Sequence, residues 1–133
     1  MSAEENVKIA HEGYAAFGRG DVPAILELLT DDIEWIEPGP PDVIPAAGTY
    51  RGKEDVGRFF ATLSESVDIH KFEPHEFIAQ GDHLVVLVHS EGTVKRTGRT
   101  VTDHLAQVWT FEGGKVARFE NFSDTAAIVA GHS

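Results

Sequence analysis

His89 and Glu91 stand two apart at the end of the apolar run Leu84-Val85-Val86-Leu87-Val88, in a segment that reads as a strand. In an extended strand such residues share a face, so an imidazole and a carboxylate side by side form an acid–base pair suited to neutral pH. At a strand end the same pair would equally serve as an ordinary solvated contact. Trp35 and Glu37 have the same spacing in Trp35-Ile36-Glu37-Pro38-Gly39. An indole on the same side of the strand walls the carboxylate, and an apolar surround disfavours its charged form and raises its basicity. Other chemistries lack their parts. There is no cysteine, which excludes disulfides, thiolate nucleophiles and sulfur-held metals. The seven histidines, at 11, 70, 75, 83, 89, 104 and 132, contain no His-x-x-x-His or His-Glu-x-x-His pair, so no metal site is expected. No Gly-x-Ser-x-Gly elbow is present, and Gly98, Gly113 and Gly114 read as hairpin punctuation rather than a phosphate loop.

The elements that must position these groups fall into two halves. Ser2-Ala3-Glu4-Glu5 has the form of a capping box, and Val7, Ala10, Tyr14 and Phe17 follow at helical spacing until Gly18 and Gly20. Asp21 caps a second, shorter helix with Pro23 in its first turn. A short strand is predicted over 33–37. The prolines at 38, 40, 41 and 45 predict an irregular loop over 38–50. Val56, Phe59, Phe60 and Leu63 mark a third helix. From Val67 the period becomes two, with strands at about 69–80, 83–95, 99–112 and 115–122 and turns at Gly81-Asp82, Thr97-Gly98 and Gly113-Gly114. Pro74 implies a bulge or an edge strand, and Asp124 caps a last helical turn over 125–130. Helices followed by antiparallel strands give an α+β fold, with helices on one face of a curved sheet.

The chain has 133 residues, the size of one domain. Its 22 acidic and 11 basic residues leave a net charge of −11, which argues against nucleic acid and anionic lipid as partners. No run reaches the length of a membrane span. The first residues, Met1-Ser2-Ala3-Glu4-Glu5, carry no apolar leader core. A cytoplasmic protein is the expectation.

Four pieces of the chain resemble the SnoaL-like branch of the nuclear-transport-factor-2-like superfamily, which includes ketosteroid isomerase, limonene epoxide hydrolase and polyketide cyclases. They are Gly20-Asp21, Trp35-Ile36-Glu37-Pro38-Gly39, Tyr50-Arg51-Gly52-Lys53, and the run from Val108-Trp109-Thr110-Phe111-Glu112-Gly113-Gly114 through Asn121-Phe122-Ser123-Asp124-Thr125. The resemblance spans nearly the whole chain, 1–133, as one SnoaL-like domain. It implies a cone-shaped fold with a pocket between helices and sheet, a homodimer across the outer sheet face, a small-molecule ligand and no cofactor.

By the same resemblance Glu37 occupies the place of the isomerase's general base, a carboxylate before proline at the end of the first strand. Tyr14 lies one residue from the isomerase's tyrosine, whose place falls at Gly13, and Gln107 stands where that enzyme keeps a protonated aspartate. Asn121 stands where the epoxide hydrolase has an aspartate, and His89-Ser90-Glu91 is the nearest equivalent of its Arg-x-Asp. Both known sites are therefore incomplete. The face Asp103, Leu105, Gln107 and Trp109 is expected to point into the pocket, joined by Phe119 and Asn121, by Trp35, and by Phe17 and Phe60 from the helices; His104 points outward. The resulting expectation is a cofactor-free acid–base enzyme of isomerase, cyclase or hydratase type, acting on a small, largely apolar carbonyl, enol or epoxide. Glu37, or His89 with Glu91, would move the proton. The alternative is a non-catalytic binding or accessory module in which the aromatic residues hold a ligand without turnover.

Overall fold

A computed structural model describes residues 2–133; Met1 lies outside them. Helix α1 (Ala3–Gly18) starts at the capping box, with the Glu5 amide donating to Ser2 Oγ at 3.1 Å. Helix α2 (Val22–Glu27) is capped by Asp21, which accepts from the Ala24 amide at 3.2 Å. Strand β1 (Leu29–Glu37) then enters the sheet, followed by β2 (Gly48–Arg51) and helix α3 (Lys53–Ser66). Four long strands complete the sheet: β3 (Val67–Gln80), β4 (His83–Val94), β5 (Thr100–Glu112) and β6 (Lys115–Phe122). Helix α4 (Thr125–Gly131) follows, capped by Asp124 through the Ala127 amide at 3.1 Å.

The strands form one curved sheet in the order β2-β1-β6-β5-β4-β3. The architecture is α+β, a cone of sheet closed by helices, but the sheet is mixed rather than wholly antiparallel. β1 runs parallel to β6, while every other neighbouring pair is antiparallel. Two further differences from the sequence expectations are local. β1 begins at Leu29, earlier than the apolar run suggests. The proline-rich segment also regains extended structure at Gly48 and pairs with β1, because its prolines lie before the residues that must donate to the ladder. Pro74 sits both on an edge strand and at a register shift, between Pro74 and Glu76, where its missing N–H leaves no partner unsatisfied.

α1 packs on β3 and β4, and α3 on β1 and β2. Strand alternation sends Leu84, Val86 and Val88 of β4 and Leu105 and Trp109 of β5 to the helix side, where they join Val56, Phe59 and Phe60 in a single buried cluster. On the other face Glu34 clasps Arg51 at 2.6 Å and Arg118 at 3.0 Å, joining β2, β1 and β6. The Arg118 hydrogen bond, foremost, holds the Glu34 carboxyl below its ordinary pKa.

Candidate functional site

Two rows of side chains cross the inner face of β1, β6 and β5. The first is aromatic. Trp35 pairs with Phe119, and Phe119 with Trp109. Trp35 stacks on Phe119 with ring centres 3.9 Å apart, and Trp109 meets Phe119 edge-on at 5.2 Å. The second row lies two residues further along and is polar: Glu37 on β1, Asn121 on β6, and Gln107, the register partner of Asn121, on β5. The period of two that makes a strand amphipathic thus places a line of hydrogen-bonding groups directly above an apolar wall.

Each member of the polar row is held. Trp35 Nε1 donates to Glu37 Oε2 at 2.8 Å, and Asn121 Nδ2 reaches Glu37 Oε1 at 3.4 Å. Asn121 Nδ2 also donates to Ser123 Oγ at 2.8 Å. Tyr14 descends from α1, packs edge-on against Trp109 at 5.5 Å, and donates its hydroxyl hydrogen to Gln107 Oε1 at 2.7 Å. With Oε1 engaged, the Gln107 amide nitrogen is the end left to face the interior.

Electrostatics follow from enclosure. The residue Glu37 is partly exposed, but its carboxyl group is surrounded by packed atoms. Burial pushes its pKa up to about 8, opposed by the hydrogen bonds from Trp35 and Asn121. Burial likewise pushes the Tyr14 phenol far above its ordinary value, opposed by the adjacent Trp109 indole. That indole N–H nonetheless lacks a partner in hydrogen-bond geometry, as does Asn121 Oδ1.

These groups border a cavity of about 210 Å³. Tyr14, Phe17, Trp35, Glu37, Phe60, Asp103, Leu105, Gln107, Trp109, Phe119 and Asn121 all line it. Asp103 spends Oδ1 on the Asp124 amide at 2.9 Å, which fixes the start of α4 to the sheet. The structure separates His89 and Glu91 from this company. Their neighbours Ser90 and Gly92 line the cavity, so alternation turns His89 and Glu91 to the opposite face. There His89 Nε2 lies 2.7 Å from Glu91 Oε2, and His89 Nδ1 lies 3.4 Å from Nδ1 of the exposed His104. The hydrogen bond from His89, first among several causes, lowers the Glu91 pKa. Among the described residues no cluster of three or more His, Asp or Glu side chains is placed to hold a metal ion.

Sequence reasoning missed much of the wall, including residues of α2, β3 and β4 such as Ile25, Ile69, Phe72 and Ser90, and three contributions from loops and the chain's last helix. Ile44, Ala46 and Ala47 come from the proline-rich segment, Ser123 from beyond β6, and Ile128 and His132 from α4 and its end. The small apolar residues between Pro41 and Gly48 were the available signal for the first, since a wholly solvated loop has no need of them.

A model of the SnoaL-like domain matches residues 10–119. Among solved structures, an NTF2-like protein from Burkholderia xenovorans LB400 is 38% identical, with a TM-score of 0.91 over 100% of this chain and 99% of that one. An NTF2-like protein of unknown function from Burkholderia pseudomallei K96243 is 31% identical, with a TM-score of 0.90 over 100% and 99%. TerC, co-crystallized with polyporic acid, is 31% identical, with a TM-score of 0.87 over 96% and 98%.

Proposed function

The chain belongs to the SnoaL-like domain family, and from that premise we propose that it is a cofactor-free acid–base enzyme of isomerase, cyclase or hydratase type whose general base and acid is Glu37. The observation that carries this reading is the Glu37 carboxyl at the edge of an aromatic cavity, with its pKa at about 8. Such a group is largely protonated at neutral pH yet ionises readily, so it can both take and return a proton. Trp35 and Asn121 hold it in place. The Gln107 amide, oriented by Tyr14, is placed to donate to an oxygen that becomes negative as the proton leaves carbon. The substrate class is small and largely apolar, bearing a carbonyl, enol or epoxide oxygen. Polyporic acid, with which the 31% identical TerC was co-crystallized, is a hydroxyquinone and belongs to that class.

Nitrobenzisoxazole tests the proposal without knowledge of the natural substrate. A base removes its ring C–H, the N–O bond breaks, and a coloured cyanophenolate is released. The protein should accelerate this elimination with a rate that rises through pH of about 8, and Glu37→Gln should abolish the acceleration. An unchanged rate in Glu37→Gln removes Glu37 from the chemistry. The dominance of apolar side chains in the wall favours a second reading, a carrier without turnover. It requires binding of hydroxyquinones that survives Glu37→Gln intact.

The remaining expectations belong to the same proposal: one domain over the chain, a cytoplasmic location, and a homodimer across the outer sheet face. Ile78 and Phe122, half exposed on that face, support the last of these. Among the described residues no helix is long and apolar enough to cross a membrane.

A further inference from the structure

His132 follows α4, lines the cavity, and is 4% exposed. Its Nδ1 lies 2.9 Å from the Ile128 carbonyl oxygen, one turn back. A carbonyl only accepts, so Nδ1 carries the hydrogen, and in the neutral ring Nε2 is left as a bare acceptor. That nitrogen is buried and has no hydrogen-bond partner among the described residues, a standing cost to the fold. The residue is not free to relieve it by moving. The Arg96 guanidinium donates to the His132 carbonyl oxygen, and Thr97 Oγ1 donates to the Gly131 carbonyl oxygen at 2.6 Å. A Cβ on Gly131 would collide with Val101, so the segment sits flush on the β4–β5 hairpin.

The position of this acceptor relative to Glu37 gives it meaning. Gly39, two residues past Glu37, lies against Thr125 at the start of α4, and His132 lies just past its end. The seven residues of α4 span about 10 Å. Between the two ends the wall carries Ile128, Val101 and Leu105, with Asp103 among them tied through Oδ1 to the Asp124 amide. We propose that His132 Nε2 accepts a hydrogen bond from a ligand hydroxyl, and that the natural ligand is an elongated aryl or polyene compound carrying O–H donors at both ends. One hydroxyl meets the Glu37 end of the cavity and the other meets His132. This rests on the reading of Glu37 given above and adds the substrate's second polar group.

The test uses para,para-dihydroxybiphenyl, para-hydroxybiphenyl and biphenyl as probes on the full chain. The second hydroxyl should tighten binding about tenfold, the worth of one net hydrogen bond. His132→Phe should erase that increment, so that the dihydroxy and monohydroxy compounds bind the variant alike. In wild-type protein the nitrogen-15 resonance of His132 Nε2 should move upfield when the dihydroxy compound is added, a readout that needs no variant. If the dihydroxy compound binds and responds to Glu37→Gln, but neither the resonance nor His132→Phe responds, the His132 inference is overturned and the Glu37 reading stands. If Glu37→Gln changes nothing while the His132 responses appear, the Glu37 reading falls and the His132 acceptor stands. Equal affinity of wild type for all three probes overturns the inference outright.

Discussion

The Trp35 indole N–H donates to the Glu37 carboxyl at 2.8 Å from two positions earlier on the same strand. The same ring stacks on Phe119 and helps to exclude water. One residue therefore acts on Glu37 in opposite senses: its bulk raises the pKa, and its N–H lowers it.

Trp35→Phe separates the two effects. The ring remains and the donor is lost, so the charged form of Glu37 loses stabilisation. The midpoint of the pH–rate profile should move upward from about 8 by about one unit. Rates of nitrobenzisoxazole elimination across pH measure it, and a downward shift contradicts the assignment of the indole as donor.

Glu37→Gln should lower kcat for any substrate by about a hundredfold or more, the usual worth of a positioned base, with KM changed little. Steady-state kinetics decide this. A loss confined to KM would mean that Glu37 binds substrate without moving a proton.

Glu37 also ties folding to pH. Folded, it keeps its proton to about pH 8, against an ordinary value of 4.5. Between these values the unfolded chain binds fewer protons than the folded one. Stability should therefore fall as pH rises through this window and level off above the folded pKa. Because the residue is partly exposed, the fall should be about 2–3 kcal/mol rather than the roughly 5 kcal/mol that ~1.4 kcal/mol per unit would give over the whole shift. Glu37→Gln should remove this part of the fall when urea unfolding is compared at roughly pH 5 and roughly pH 9. Equal losses in variant and wild type would show that Glu37 titrates normally in the fold.

Tyr14→Phe removes the hydrogen bond that sets the Gln107 amide. The rate should drop about tenfold, the worth of one net hydrogen bond, while Gln107→Leu, which deletes the donor itself, should cost about a hundredfold. Equal losses from the two would assign the contact to Tyr14 rather than Gln107.

Gly39→Ala should destabilise the protein by about 2–3 kcal/mol. Gly39 has φ +110, and an added Cβ would lie 2.6 Å from Ile44 Cδ1. Calorimetry should show a Tm lowered by about 5–10 °C, together with weaker ligand binding because Ile44 lines the cavity.

Much of the site could be read from the chain because strands obey a period of two. Asp103, Leu105, Gln107 and Trp109 share a face by spacing alone, and the resemblance said which face. The same rule put His89 beside Glu91 correctly but left their side of the sheet open. The sequence could not settle it, since Leu84-Val85-Val86-Leu87-Val88 is an unbroken apolar run whose two alternate sets look equally fit for burial. Tyr14 and Phe17 were legible from helical spacing. His132 was not, because one histidine after a short helix has no periodic companion and its importance comes from what fails to bond it. The parallel β1–β6 contact was also invisible, since pairing between strands some eighty residues apart leaves no local pattern.

That contact has a consequence for how the molecule is assembled. β6 lies inside the sheet between β1 and β5, so Glu37 and Asn121 meet only after the last strand has threaded into a central slot. Such a closure joins distant segments and is slow and entropically demanding. A nascent chain still lacking β6 would expose Trp35 and the edges of β1 and β5 together, a sticky species with no chamber. Competence and completed folding should thus arrive in the same kinetic step.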